Sequence, residues 1–274
     1  MIDLSNALTM ACSTDPGMVR SHNEDSLAIE PGIGLAVLAD GMGGYNAGEV
    51  ASGIAVALIR EEVRKALADS DPSRAEPSPT LRAERVLREQ AAKANASIFK
   101  SAQDQPQYAG MGTTLVTVLF ANNQVTVAHI GDSRLYRLRG DSFEQVTRDH
   151  SLLQEQIDSG MISKEDARHS MNKNLVTRAL GVDPEVETEI HSYEVLPGDI
   201  YLLCSDGLSD MIPESEIHST LDTLKANLQL AADQLVQTAN DYGGRDNVSV
   251  VLVQVNERFS SEAGWMSRFM SWLK

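Results

Sequence analysis

The sequence predicts an α+β fold built on antiparallel sheets, and three observations carry that prediction. Short runs rich in Val, Leu and Ile have strand length, brief polar turns join several of them, and two longer stretches show helical spacing. The strand-like runs are Leu35–Ala39, Thr114–Phe120, Gln124–Ile130, Ser133–Leu138, Ile200–Ser205 and Val248–Val255. Ala121–Asn123 and Arg139–Ser142 have the length of hairpin loops, so sheet packed on sheet is expected.

The first helix is expected over Asn46–Ala68, where Asn46 and Glu49 have the spacing of a capping box. Pro72, Pro77 and Pro79 break the chain over Asp69–Thr80, and Leu81–Gln103 resumes with Ala, Leu and Val at helical spacing. These two helices suit one covering layer. Leu152–Ser170 reads as short polar helical pieces around Gly160, a flap leaving the core rather than part of it.

Composition narrows the function. The 274 residues are 42% hydrophobic and 23% charged, the balance of a packed globular protein. A formal net charge of -16 excludes nucleic acid as a partner, because phosphate neutralisation needs clustered Lys and Arg. Any anionic partner would also be repelled, but screening beyond about 8 Å leaves the outcome to local cations. Cys12 and Cys204 lie in strand-like stretches and read as reduced core thiols. With no signal-like N-terminus and no apolar run of membrane length, a cytoplasmic location is expected.

The chemical signal is a recurrence of acidic residues beside glycine at strand ends: Asp40-Gly41, Gly131-Asp132, Asp206-Gly207, and Asp246-Asn247 after Gly243-Gly244-Arg245. One such dipeptide alone is an ordinary turn. Several that converge repel at roughly 1–4 kcal/mol per pair near 4 Å, and hard divalent cations relieve this through oxygen ligands. The glycines of Gly41–Gly48 lack the Lys-Ser/Thr of a P-loop and the spacing of a dinucleotide fold. Neither cysteine has an arginine six residues downstream, so cysteine-dependent phosphatase chemistry is not expected.

Arg20-Ser-His-Asn-Glu24-Asp25, Ala39-Asp40-Gly41-Met42-Gly43-Gly44, Gly112-Thr113-Thr114, Gly131-Asp132-Ser133-Arg134, Ser205-Asp206-Gly207-Leu208 and Asp246-Asn247 stand in a fixed order. In this the chain resembles the bacterial-type, metal-dependent type 2C (PPM) Ser/Thr protein phosphatases, from about Thr14 to Val255. The resemblance implies a four-layer α-β-β-α sandwich, two antiparallel sheets flanked by helices. Residues 1–257 would form a single catalytic domain with a flap at about 149–181, and 258–274 an amphipathic helical tail.

The resemblance also implies a site. Asp40, Asp206 and Asp246 would hold one Mn2+ or Mg2+ ion, and Glu24, Asp40 and the Gly41 carbonyl a second. Asp132, with Asp206, would hold a third, weaker ion. Asp25, through bound water, and Asn247 would support the ligands, and Arg20 would clamp the substrate phosphate with its planar donors. Water between ions about 3.5–4 Å apart would then attack phosphorus directly. On this reading the enzyme removes phosphate from phosphoserine and phosphothreonine, opposing a bacterial Ser/Thr kinase or acting on its targets.

Met42 departs from the histidine that animal members carry, so the leaving-group proton needs another source; His22 or water is the candidate. Gly112-Thr113-Thr114 reads as a structural strand start. An anti-sigma-type substrate, a phosphoprotein-binding protein without turnover and a purely structural metal protein remain as alternatives. In the tail, Trp265, Met266, Phe269, Met270, Trp272 and Leu273 share one helical arc opposite Ser267, Arg268, Ser271 and Lys274. That arc would pack on the domain, dock into a partner or lie on a membrane surface.

Overall fold

A computed structural model describes residues 3–44, 46–69, 78–163, 166 and 175–259. Its strands are β1 (Leu8–Asp15), β2 (Asp25–Glu30), β3 (Leu35–Met42), β4 (Gly112–Thr113), β5 (Leu115–Ala121), β6 (Gln124–Ile130), β7 (Arg134–Arg139), β8 (Ser142–Gln145), β9 (Glu189–Glu194), β10 (Ile200–Cys204) and β11 (Val248–Val255). The helices are α1 (Ala47–Ala68), α2 (Pro79–Asp104), α3 (Leu152–Asp158), α4 (Asp206–Ser209), α5 (Glu214–Leu224) and α6 (Leu228–Asp241).

One sheet runs β1-β11-β10-β7-β8 and the other β2-β3-β5-β6-β9, with β4 paired to β3. Every strand pairing is antiparallel. Alternation along the strands makes the layers. In β3, Leu35, Val37 and Ala39 bury against α1 and α2, whereas Ala36 and Leu38 bury between the sheets. In β11, Val248, Val250 and Leu252 face α5 and α6, and Val251, Val253 and Val255 face the opposing sheet. The result is the expected α-β-β-α sandwich.

Both expected hairpins form. Asn122 and Asn123 take φ of 50° and 59°, the left-handed pair that matches strand twist, and Gly140 turns β7 into β8 at φ 57°. The capping box does not form: Asn46 has φ -101° and ψ 19°, and its side chain makes no cap bond. A turn closed by the Ala47 N–H to the Gly44 carbonyl enters the helix there, leaving Asn46 without the extended backbone a cap needs. Helix α2 is capped instead by Ser78, whose hydroxyl accepts from the Leu81 N–H, so it starts before Leu81.

The roots of the flap are fixed. The Leu152 N–H donates to the Leu175 carbonyl and the Thr177 N–H to the His150 carbonyl, and Leu180 bridges Thr113. Much of its tip, 164–165 and 167–174, lies outside the described residues. So does the expected tail from residue 260 onward. Before that point Phe259 is buried against Phe120 and donates its N–H to Asn123 Oδ1, so the chain belongs to the packed fold through Phe259.

Candidate active site

Antiparallel pairing brings the acidic strand ends to one rim. Asp40 near the end of β3 pairs with Asp25 at the start of β2. In the other sheet, Cys204 at the end of β10 pairs with both Val250 of β11 and Arg134 of β7. That register sets Asp206, Asp246 and Asp132 at the same edge. The Ser205 hydroxyl then crosses between the sheets to donate to Asp25 Oδ2 at 2.8 Å.

Backbone bonds and close packing fix the segments that carry these acids. The Asp40 N–H donates to Thr114 Oγ1, and the Asp40 carbonyl accepts from the Thr113 hydroxyl and the Thr114 N–H. Gly112-Thr113-Thr114 is therefore the cradle of Asp40 as well as a strand start. Gly41 has room for no side chain: a Cβ would lie 2.2 Å from the Gly48 carbonyl oxygen and 2.5 Å from that of Glu24. A Cβ on Gly207 would lie 1.9 Å from the Asn247 carbonyl oxygen, which keeps α4 tight under Asp206.

Asn247, 5% exposed, ties three segments together. Its amide donates to the Pro16 and His22 carbonyls, and its Oδ1 accepts from the Glu24 N–H at 2.8 Å. Asn247→Ala is expected to lower manganese affinity about 10–100-fold by loosening the Arg20–Glu24 segment. Calorimetric titration of Mn2+ checks this, and unchanged affinity would show that the segment is held by other bonds.

The electrostatics are those of crowded, desolvated acids. Burial pushes the Asp40 carboxyl well above its usual range, with repulsion from Asp25, Asp206, Asp132 and Asp246 adding to it. Asp206 is raised in the same way by burial and by Asp132, Asp246, Asp210 and Asp25. Burial lifts Asp25 to about 6, and burial with Asp149 nearby lifts Asp132 to about 6. Glu24 is raised by burial too.

Arg20 does not point at open solvent alone. Its Nη2 donates to Asp246 Oδ2 at 2.7 Å, a pairing with Asp246 rather than with Glu24 or Asp25. His22 is exposed at this rim, near enough to bear on Glu24, and Met42 sits in β3 beside Gly112.

A support behind Asp132 has no counterpart in the sequence expectations, in which His22 is the one histidine considered for a role. His150 donates its backbone N–H to the Gly131 carbonyl and accepts from the Gly131 N–H at Nδ1, so its ring proton lies on Nε2 and goes to Glu189 Oε2 at 3.1 Å. His129 donates Nε2–H to the Ser133 carbonyl, and burial lowers its pKa to about 4, leaving it neutral. His129, His150 and Glu189 are close enough to surround a cation. The proton committed between His150 and Glu189 opposes that, and the cluster instead clamps the Gly131–Asp132 turn. Only proximity in space joins residues so far apart in sequence.

The rim fits divalent ions of the manganese and magnesium kind. Its donors are carboxylate and carbonyl oxygens, its charges are mutually repulsive, and Asp25 Oδ1 is buried with no protein partner. A four-layer sandwich with such a rim is the architecture of a metal-dependent hydrolase.

Comparison with known proteins agrees. A family model for protein phosphatase 2C matches residues 19–247. The serine/threonine phosphatase stp of Listeria welshimeri is 40% identical over 249 residues, 89% of this chain and 94% of its own. The catalytic domain of the phosphatase PstP, solved with two manganese ions, is 38% identical with a TM-score of 0.76, covering 91% of this chain and 99% of that one. Stp1 from Staphylococcus aureus is 32% identical with a TM-score of 0.81, covering 93% and 98%. The chain therefore belongs to the protein phosphatase 2C family, metal-dependent enzymes that hydrolyse phosphoserine and phosphothreonine in proteins. Among the described residues no helix is long and apolar enough to cross a membrane.

Proposed function

We propose that this chain dephosphorylates phosphoserine and phosphothreonine of proteins at the carboxylate rim, and that it opposes a Ser/Thr kinase. The observation that carries the site assignment is the joint burial of Asp40 and Asp206, two acids whose ionisation is opposed by burial and by their acidic neighbours. Asp40, Asp206 and Asp246 would hold one Mn2+ or Mg2+ ion, Glu24, Asp40 and the Gly41 carbonyl the other, and Asp132 with Asp206 a weaker third. When bound, such ions lower the pKa of water towards neutrality and offset the charge of the phosphate.

The side chains supply orientation. Asp25, held by Ser205, and Asn247 keep Asp40 and Glu24 in place. Arg20, neutralised by Asp246 in this structure, turns its guanidinium to the phosphate oxygens once Asp246 is engaged elsewhere. Water forms the new P–O bond as the bond from phosphorus to the serine or threonine oxygen breaks, giving inorganic phosphate and the free hydroxyl. Met42 offers no proton to that departing oxygen; His22 is the exposed imidazole at this rim.

The test is hydrolysis of a phosphothreonine peptide by metal-stripped protein, with and without added Mn2+. Restored turnover that Arg20→Ala reduces through a KM raised about tenfold, equivalent to about 1.4 kcal/mol of phosphate binding, is the expected outcome. No turnover on the peptide or on an aryl phosphate would favour a phosphoprotein-binding role without hydrolysis.

A further inference from the structure

At the end of the sandwich opposite the carboxylate rim, Leu4, Ile33, Leu67, Leu119, Phe120 and Phe259 line an open cleft of about 250 Å³. Its walls are mainly apolar. The cation at its edge, Arg82, is already engaged, donating to the Ala66, Leu67 and Asp69 carbonyls at the end of α1. An anionic ligand therefore has little to recognise there, and an apolar one has much. A cavity of about 150 Å³ already accepts benzene, so this one has room for a bicyclic ring.

The chain itself supplies such a ring. Phe259 forms one wall, and the 15 residues that follow it, 260–274, contain both tryptophans of the protein. Trp265 stands six positions past Phe259, a span of up to roughly 20 Å for extended chain, ample to return to the cleft. Tethering gives the segment an effective concentration on the order of millimolar, well above that of any free competitor. A membrane surface is a poorer partner. Arg268 and Lys274 are the only cations in the segment, and a net charge of -16 opposes approach to anionic lipid.

We propose that this cleft seats the chain's own C-terminal segment, residues 260–274, with the Trp265 indole inserted beside Phe259. The seat lies away from the carboxylate rim, so its occupation leaves access to the rim open.

Because both tryptophans lie in the segment, tryptophan emission of the full chain reports on it alone. Emission should be blue-shifted and protected severalfold from acrylamide quenching, and both properties should survive dilution. Trp265→Phe should remove the protected component and Trp272→Phe should keep it. Leu67→Lys, at the half-buried wall, should make emission solvent-like while aryl phosphate hydrolysis and the thermal melt stay unchanged. Should that variant unfold, deletion of 260–274 gives the second reading, since the emptied cleft should bind an apolar dye that the full chain excludes. Solvent-like emission from the full chain would overturn the proposal. So would a blue shift that fades on dilution, which marks a second copy, or one that arises only with anionic vesicles.

Discussion

Asp40→Asn is expected to abolish metal-dependent turnover, by about 10³-fold or more, while raising the melting temperature of the metal-free protein at pH 7 and above. The first effect follows from the proposal that Asp40 serves both ions, on which several kcal/mol of transition-state stabilisation would depend, at 1.4 kcal/mol per tenfold. The second follows from its surroundings. Asp40 is buried among Asp25, Asp206, Asp132 and Asp246, and an amide of the same shape has neither a charge to bury there nor a proton to take up on folding. Its backbone bonds to Thr113 and Thr114 do not involve the side chain and survive the change. Paired kinetics and thermal melts check both effects. A variant that merely misfolds would lose activity and stability together, which would count against this reading of the rim.

The metal-free protein should also lose stability as pH rises from about 4 to above 6, and added Mn2+ should restore most at the alkaline end. Asp25 and Asp132 are raised from 3.8 to about 6 in the fold. A carboxyl raised on folding holds its proton more tightly in the native state. Its contribution is therefore complete below the unfolded value, near pH 4, and is lost as pH climbs through about 6. For Asp132 alone a shift of this size is on the order of 3 kcal/mol. Cations bind the deprotonated acids and release those protons, so the manganese-induced rise in melting temperature should be larger at pH 8 than at pH 5. A rise independent of pH would show that these acids are already ionised in the metal-free protein.

Much of this architecture is legible in the sequence where burial on both faces writes continuous apolar runs. Strand β11 and strand β6 fall on their expected bounds, Val248–Val255 and Gln124–Ile130, because each is buried along nearly its whole length. Strands β2 and β9 are not foreseen: Asp25–Glu30 and Glu189–Glu194 are half-buried and carry charge, so their alternation is weak. Helices α5 and α6 are likewise missing from the expected elements. The signal in α6 is present, since Leu228, Ala231, Ala232, Leu235, Val236 and Ala239 repeat at helical spacing and form its buried face, but much of it is alanine.

The carboxylates of the rim could be named from their motifs because each motif is contiguous. What holds them could not. Ser205 on Asp25, Thr114 on Asp40, and His150 with Glu189 behind Asp132 act across strands far apart in sequence, through bonds that only the register of the two sheets creates. The pairing of Arg20 with Asp246 is of the same kind, 226 positions apart. Phe259 marks the tail boundary for a similar reason, since a lone aromatic after a strand gives no sign that it closes an inter-sheet core.

The decisive measurement is the number of Mn2+ ions bound per chain at pH 8, by equilibrium dialysis with metal analysis, for the natural sequence, Asp246→Asn and Asp40→Asn. Two tightly bound ions, one lost in the Asp246 variant and both weakened in the Asp40 variant, are expected if the buried carboxylates form a shared two-ion rim. Binding that is absent, or equal in all three proteins, would mean that the ions are held elsewhere.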